Sequence, residues 1–269
     1  MDVILAFTCQ PTEQPLCIPD SILELFELPV LFGSVNRTMV YIFLVALVVI
    51  AGLFVAYRKP RLVPTKFGVA VESIVDFVRN DIAIGVIGPG GERYAPYLLA
   101  LFLFILVGNF FGITPFIMFP IGARMAIPAF LALLTYVVFV FAGFKKQGFT
   151  YVVHTLWPPG VPVALKPLIG LIELVSIFIV RPFSLAVRLF ANLVAGHTMI
   201  ALLLGSGVFF IYAGATGMIS PLKAFLVGPL WFIFGMAIYL LELLVLALQA
   251  YIFTLLSAVY IESSLHPAH

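Results

Sequence analysis

Charge is what this sequence has least of. Only 10% of its 269 residues are charged, against roughly 25% in soluble domains, so a water-facing shell for a domain of this length cannot be built. Acids are scarcest: from residue 94 onward only Glu173, Glu242 and Glu262 occur, and any carboxylate chemistry there must draw on them. Cysteine is limited to Cys9 and Cys17 in the polar amino-terminal arm. A bridge between them and two free thiols both fit, and their spacing spells neither a redox pair nor a metal site. No glycine-rich phosphate loop of the Walker type and no histidine–cysteine cluster with ligand spacing occurs, so neither nucleotide hydrolysis by this chain nor a cofactor or metal is expected. The opening MDVILAFT lacks the basic flank and apolar length of a cleaved signal peptide. The first apolar span must then serve as the targeting signal.

What fills the space is apolar: 63% of residues are hydrophobic and the mean hydropathy is +1.20, the mark of an integral membrane protein. Apolar runs at about 39–57, 96–119 and 126–144 each come near or exceed the roughly 20 residues that cross the hydrocarbon as a helix. Two longer runs follow, about 167–205 and 221–261; they exceed an upright crossing, so a strongly tilted pair of helices is expected. Residues 206–220, with Gly207, Gly214 and Gly217, read as their connection. Backbone polar groups find no water in lipid, and the alternation of a membrane barrel is absent, so the predicted fold is all-α, with five transmembrane helices. Between the first two spans, residues 64–84 put Phe67, Val71, Ile74, Val78 and Ile82 on one helical face and Glu72, Asp76 and Arg79 largely on the other. That is an amphipathic helix, suited to the membrane surface or to packing under another subunit.

Orientation follows lysine and arginine. Residues 1–37 carry Asp2, Glu13, Asp20, Glu24 and Glu27 against Arg37 alone, whereas Arg58, Lys59, Arg61 and Lys66 follow the first span. The amino-terminal arm, 1–37, is expected outside. Five spans in the helical domain 38–269 then put the carboxy terminus inside, and Lys145, Lys146 and Lys166 fall on the inner side without further assumption.

Within the fourth run, Arg181, Ser184, Arg188 and Asn192 stand at offsets 0, 3, 7 and 11, one face of a helix. Glu173 continues roughly that face. The fifth run repeats the pattern with Tyr239, Glu242, Gln249 and Tyr260. Two polar stripes in neighbouring spans can satisfy one another and leave a hydrated seam. A cation in a span costs about 2.5–3.5 kcal/mol on insertion scales. Arg181 could snorkel to the surface, but Arg188 is deeper and in register with Asn192. His197, nine residues past Arg188, lies about 180° around the helix and about 13 Å along it.

The segments RPFSLAVRLFANLVAGH (181–197) and LVLALQAYIFTLLSAVY (244–260) resemble the paired signatures of subunit a of the F-type ATP synthase, and GNFFGITP (108–115) resembles the outer end of that family's second span. The resemblance implies a proton-translocating stator subunit: two half-channels to a ring of c subunits, separated by an essential arginine at Arg188, with Asn192 and Gln249 beside it. It implies c-ring and peripheral-stalk b subunits as partners within the lipid bilayer, no nucleic acid, and a bacterial-type plasma membrane or an equivalent energy-coupling membrane. Many members carry Glu where this chain has His197 and His where it has Glu242, so the relay pair is exchanged. Many also carry acids after the second span, where FPIGARMAIP offers only Arg124. Glu173 and Ser176 either line the inner half-channel or are polar groups at a helix start. Catalysis would belong to partner subunits. A self-contained transporter or channel, and a scaffold whose buried charges merely pair with neighbouring helices, are the alternatives that the residues alone leave open.

Overall fold

The structure, a computed structural model, describes residues 30–32, 35–58, 65–114, 122, 124–148, 150–151, 165–217 and 220–266. Cys9 and Cys17, whose pairing the sequence left open, most of the amino-terminal arm, and Lys59 and Arg61 lie outside the described residues.

A short hairpin of β1 (Val30–Phe32) and β2 (Val35–Asn36) leads into α1 (Arg37–Tyr57). After it come α2 (Lys66–Asp76), α3 (Ala95–Ile113), α4 (Ala126–Gln147), α5 (Lys166–Val175), α6 (Arg181–Ala215) and α7 (Pro221–Leu265). Five helices are long and apolar enough to cross a membrane, with α5 and α6 joined into one run of 50 residues, Lys166–Ala215. The all-α, five-span reading is borne out. At 1.5 Å per residue that run measures about 75 Å, more than twice the hydrocarbon, so it cannot stand upright within it.

The fourth span goes further than residue 205. Gly207 and Gly214 do not break α6; each serves as a seat for α7, against Phe232 and Ala224 respectively. In lipid, small residues let helix backbones approach closely. The helix stops at Gly217, whose φ of +75° is the left-handed conformation that ends helices and that glycine adopts freely. Further contacts, Gly235 with Leu204 and Gly196 with Glu242, run in the opposite order along the two helices. The last two spans are therefore an antiparallel hairpin.

The amphipathic helix starts at Thr65, whose hydroxyl accepts from the Gly68 amide at 3.2 Å, an N-cap. Its apolar face divides. Phe67 is exposed, whereas Val78 and Ile82 are fully enclosed, in a π-helical stretch, Phe77–Ile84, that carries the chain in against α3 and α7. The Phe77 ring sits 5.8 Å from that of Tyr251 on α7.

The core lies where α3, α4, α6 and α7 meet, around Leu98, Phe139, Leu185, Leu189, Leu246 and Phe253. Hydroxyls tie it. Thr135 gives its proton to the Leu131 carbonyl, so it accepts from Tyr97 of α3 at 2.8 Å, and its oxygen lies 3.5 Å from that of Ser257 on α7. By contrast α1 has only 6% of its span buried within the chain.

A polar seam between the last two spans

The sequence-level candidates fall on the α5–α6 run and on α7, which pair along most of their length. Their rotation about the first of these depends on a feature that periodicity cannot reveal. Between α5 and α6 stands a π-helical turn, Ser176–Val180. Across undisturbed α-helix, eight residues would turn Glu173 roughly 80° from Arg181; one extra residue taken into a π turn reduces that to roughly 20°. Glu173, half-buried, is thus brought onto the Arg181 face, and Ser176 opens the turn itself.

Beside the carboxy-terminal end of α7, Arg181 is held within the chain. Its Nη1 donates to Ser263 Oγ at 3.0 Å and its guanidinium lies 5.3 Å from the centre of the Tyr260 ring. Two turns on, Arg188 is exposed. Among the described residues it has no ion pair or hydrogen bond; the salt bridges there are Arg79–Glu92 and His266–Glu262. The same stripe of α6 therefore carries one arginine satisfied internally and one that faces outward.

Asn192 is half-buried and Gln249 almost wholly buried. Their Nδ2 and Nε2 groups are enclosed yet meet no acceptor among the described residues. Such donors cost about 1–3 kcal/mol each if left dry, so this stretch calls for water or an acceptor from outside.

Further along α6, Glu242 of α7, 5% exposed, packs its carboxylate onto Gly196, the residue before His197. His197 is half-buried and engaged in contacts of its own. The chain thus brings an acid and an imidazole into one neighbourhood, on adjacent helices. Chemically the pair offers exchangeable protons, the imidazole titrating near neutrality in water, while a guanidinium cannot usefully give its proton up. Gly122, which lies between α3 and α4 in sequence, is set against Leu189 and Leu193 of α6.

Sequence reasoning passed over Asn109. It is 4% exposed and its Nδ2 donates to the Leu246 carbonyl at 3.4 Å, between Glu242 and Gln249. The signal available was an amide side chain in the apolar stretch GNFFGITP, where a buried polar group must find a partner.

The family model described as ATP synthase A chain matches residues 39–262. Among curated relatives, ATP synthase subunit a of Frankia alni is 38% identical over 259 residues, covering 91% of this chain and 86% of the relative. That of Rhodococcus erythropolis is 40% identical over 236 residues, 87% of this chain and 83% of the relative. That of Gluconacetobacter diazotrophicus is 38% identical over 245 residues, 89% and 94%. With a match that takes in both polar helices and the span before them, the chain belongs to the ATP synthase A chain family.

Proposed function

We propose that the chain is the proton-translocating stator of an F-type synthase, offering two half-channels to a c-ring and keeping them apart with Arg188. Membership of the family makes it a membrane-sector subunit that is not catalytic by itself, so the proposal concerns how protons pass. One observation carries it: an arginine in a membrane-crossing helix, exposed and without a carboxylate among the described residues. A cation so placed needs a counter-charge from a neighbouring subunit. A ring carboxylate passing Arg188 would be held ionised by the opposite charge. Because the guanidinium stays protonated, it blocks direct passage of a proton between the half-channels.

On the outer side, His197 and Glu242 would hand protons to the ring past the hydrated donors of Asn192 and Gln249. On the inner side, Glu173 and Ser176 would receive them, aligned by the π turn. Each half-channel opens to one face, and transfer between them requires rotation. Peripheral-stalk b subunits are the proposed partners on the other flank, in a bacterial-type plasma membrane or an equivalent energy-coupling membrane. The proposed topology, amino terminus outside and carboxy terminus inside, is supported by Lys145 and Lys146 closing α4 at the same end as the carboxy-terminal residues. Lys146 Nζ meets His266 Nε2 there at 2.9 Å. Family membership disfavours the self-contained transporter and the scaffold.

The test is Arg188→Ala in the assembled enzyme. The expected outcome is a complex that still purifies with its c-ring and b subunits but makes no ATP from a proton gradient. Ordinary proton-driven synthesis in that variant overturns the proposal.

A further inference from the structure

Two polar contacts join α3 to α7, and they bracket Glu242. Asn109 Nδ2 of α3 donates to the backbone carbonyl of Leu246 at 3.4 Å. Four residues on, the carbonyl of Ile113 accepts from Tyr239 Oη of α7 at 3.4 Å. Each helix supplies one side-chain donor and one main-chain acceptor, so the arrangement is reciprocal. Leu246 can accept a second hydrogen bond because a carbonyl has two lone pairs. Ile113 is the last residue of α3, where carbonyls lose their helical partners. Tyr239, Glu242 and Leu246 stand at offsets 0, 3 and 7, one stripe of α7. The two bonds therefore grip the helix about one turn to either side of the carboxylate.

We propose that Asn109 and Tyr239 are positioning residues for Glu242. They set the rotation and height of α7 against α3 so that the carboxylate stays seated on Gly196, beside His197. The inference rests on the proposed reading of Glu242 as a proton-relay group. Directional bonds matter here because packing between helices in lipid has no hydrophobic drive to hold a rotation. With a carboxylate extending roughly 6 Å from the helix axis, a turn of roughly 20° displaces it by about 2 Å. That is enough to lose a hydrogen-bond distance.

The experiment uses the whole enzyme in its membrane, with Asn109→Leu and Tyr239→Phe, each alone and combined with Glu242→Gln. The readouts are proton-driven ATP synthesis as a function of outer-side pH and the amount of complex purified with its c-ring. Tyr239→Phe removes one oxygen and keeps the ring, so it preserves an assembled complex to measure if Asn109→Leu lowers the yield. Either single variant is expected to slow synthesis about two- to tenfold, the scale of one buried hydrogen bond, and to displace the pH profile. In the Glu242→Gln background neither should add a further loss. An unmoved pH profile, together with losses that add in full to that of Glu242→Gln, shows that the two side chains only stabilise the bundle and overturns the proposal. Undiminished synthesis in Glu242→Gln alone removes the relay reading, and the positioning role falls with it.

Discussion

The carboxylate of Glu242 occupies the space in which a side chain at Gly196 would begin: a Cβ built there falls on Oε1, Cδ and Oε2 of the acid. An absent side chain on α6 is thus the seat for a buried acid on α7.

Gly196→Ala must expel that carboxylate or push the helices apart, and overpacking of this kind costs about 1–3 kcal/mol. Proton-driven synthesis is expected to fall about tenfold or more in a complex that still assembles. Adding Glu242→Asp, which shortens the acid, should recover part of the loss. Synthesis rates in membrane vesicles check both, and an unaffected Gly196→Ala enzyme would show that the seat has no role in turnover.

Gln249 presents the opposite situation, a donor without a partner among the described residues. Replacing it by leucine removes a group that costs about 1–3 kcal/mol when unsatisfied. The melting temperature of the purified complex should hold or rise in Gln249→Leu, while proton flux slows as the seam dries. A lowered melting temperature with unchanged flux would mean that Gln249 is an ordinary packing residue.

Arg181 and Arg188 share a stripe but should respond differently. Arg181→Ala forfeits the Ser263 hydrogen bond and the contact with the Tyr260 ring, about 1–2 kcal/mol of stability. Its complex should melt earlier yet keep most of its coupled synthesis. A loss as complete as that expected of Arg188→Ala would place Arg181 in the proton path itself.

The Tyr97–Thr135 hydrogen bond ties α3 to α4 inside the bundle. Bonds of this type contribute about 0.6 kcal/mol on average and up to about 1.7 in membrane proteins. Thr135→Val and Tyr97→Phe should each destabilise the complex by about 1 kcal/mol, and the double variant by little more than either alone. Fully additive losses would mean that the two hydroxyls act separately.

Much of this architecture could be read before any coordinates. Runs of apolar residues announce membrane helices because lipid offers the backbone no other partner. Arg188 and Asn192 fall on one stripe by periodicity alone. The continuation of α6 past residue 205 could not be read this way, because Gly207 and Gly214 look like breaks until α7 is seen resting on them. The π turn at Ser176–Val180 leaves no mark in composition, yet it decides which way Glu173 points. Asn109 went unweighed because its acceptor belongs to Leu246, a backbone group 137 residues away.

Hydropathy and spacing alone thus establish the solvent, the number of crossings and, within each unbroken stretch of α-helix, the angular position of the polar residues, since those follow from local composition and a fixed helical period. Which residues meet was settled by the packing of the helices: Glu242 with Gly196, Asn109 with Leu246, Arg181 with Ser263, and Arg188 without a hydrogen-bond or ion-pair partner among the described residues. Contacts between helices depend on the register and rotation of two separate rods. Close approach at small residues and a single widened turn set these, and neither is encoded in the period of either helix.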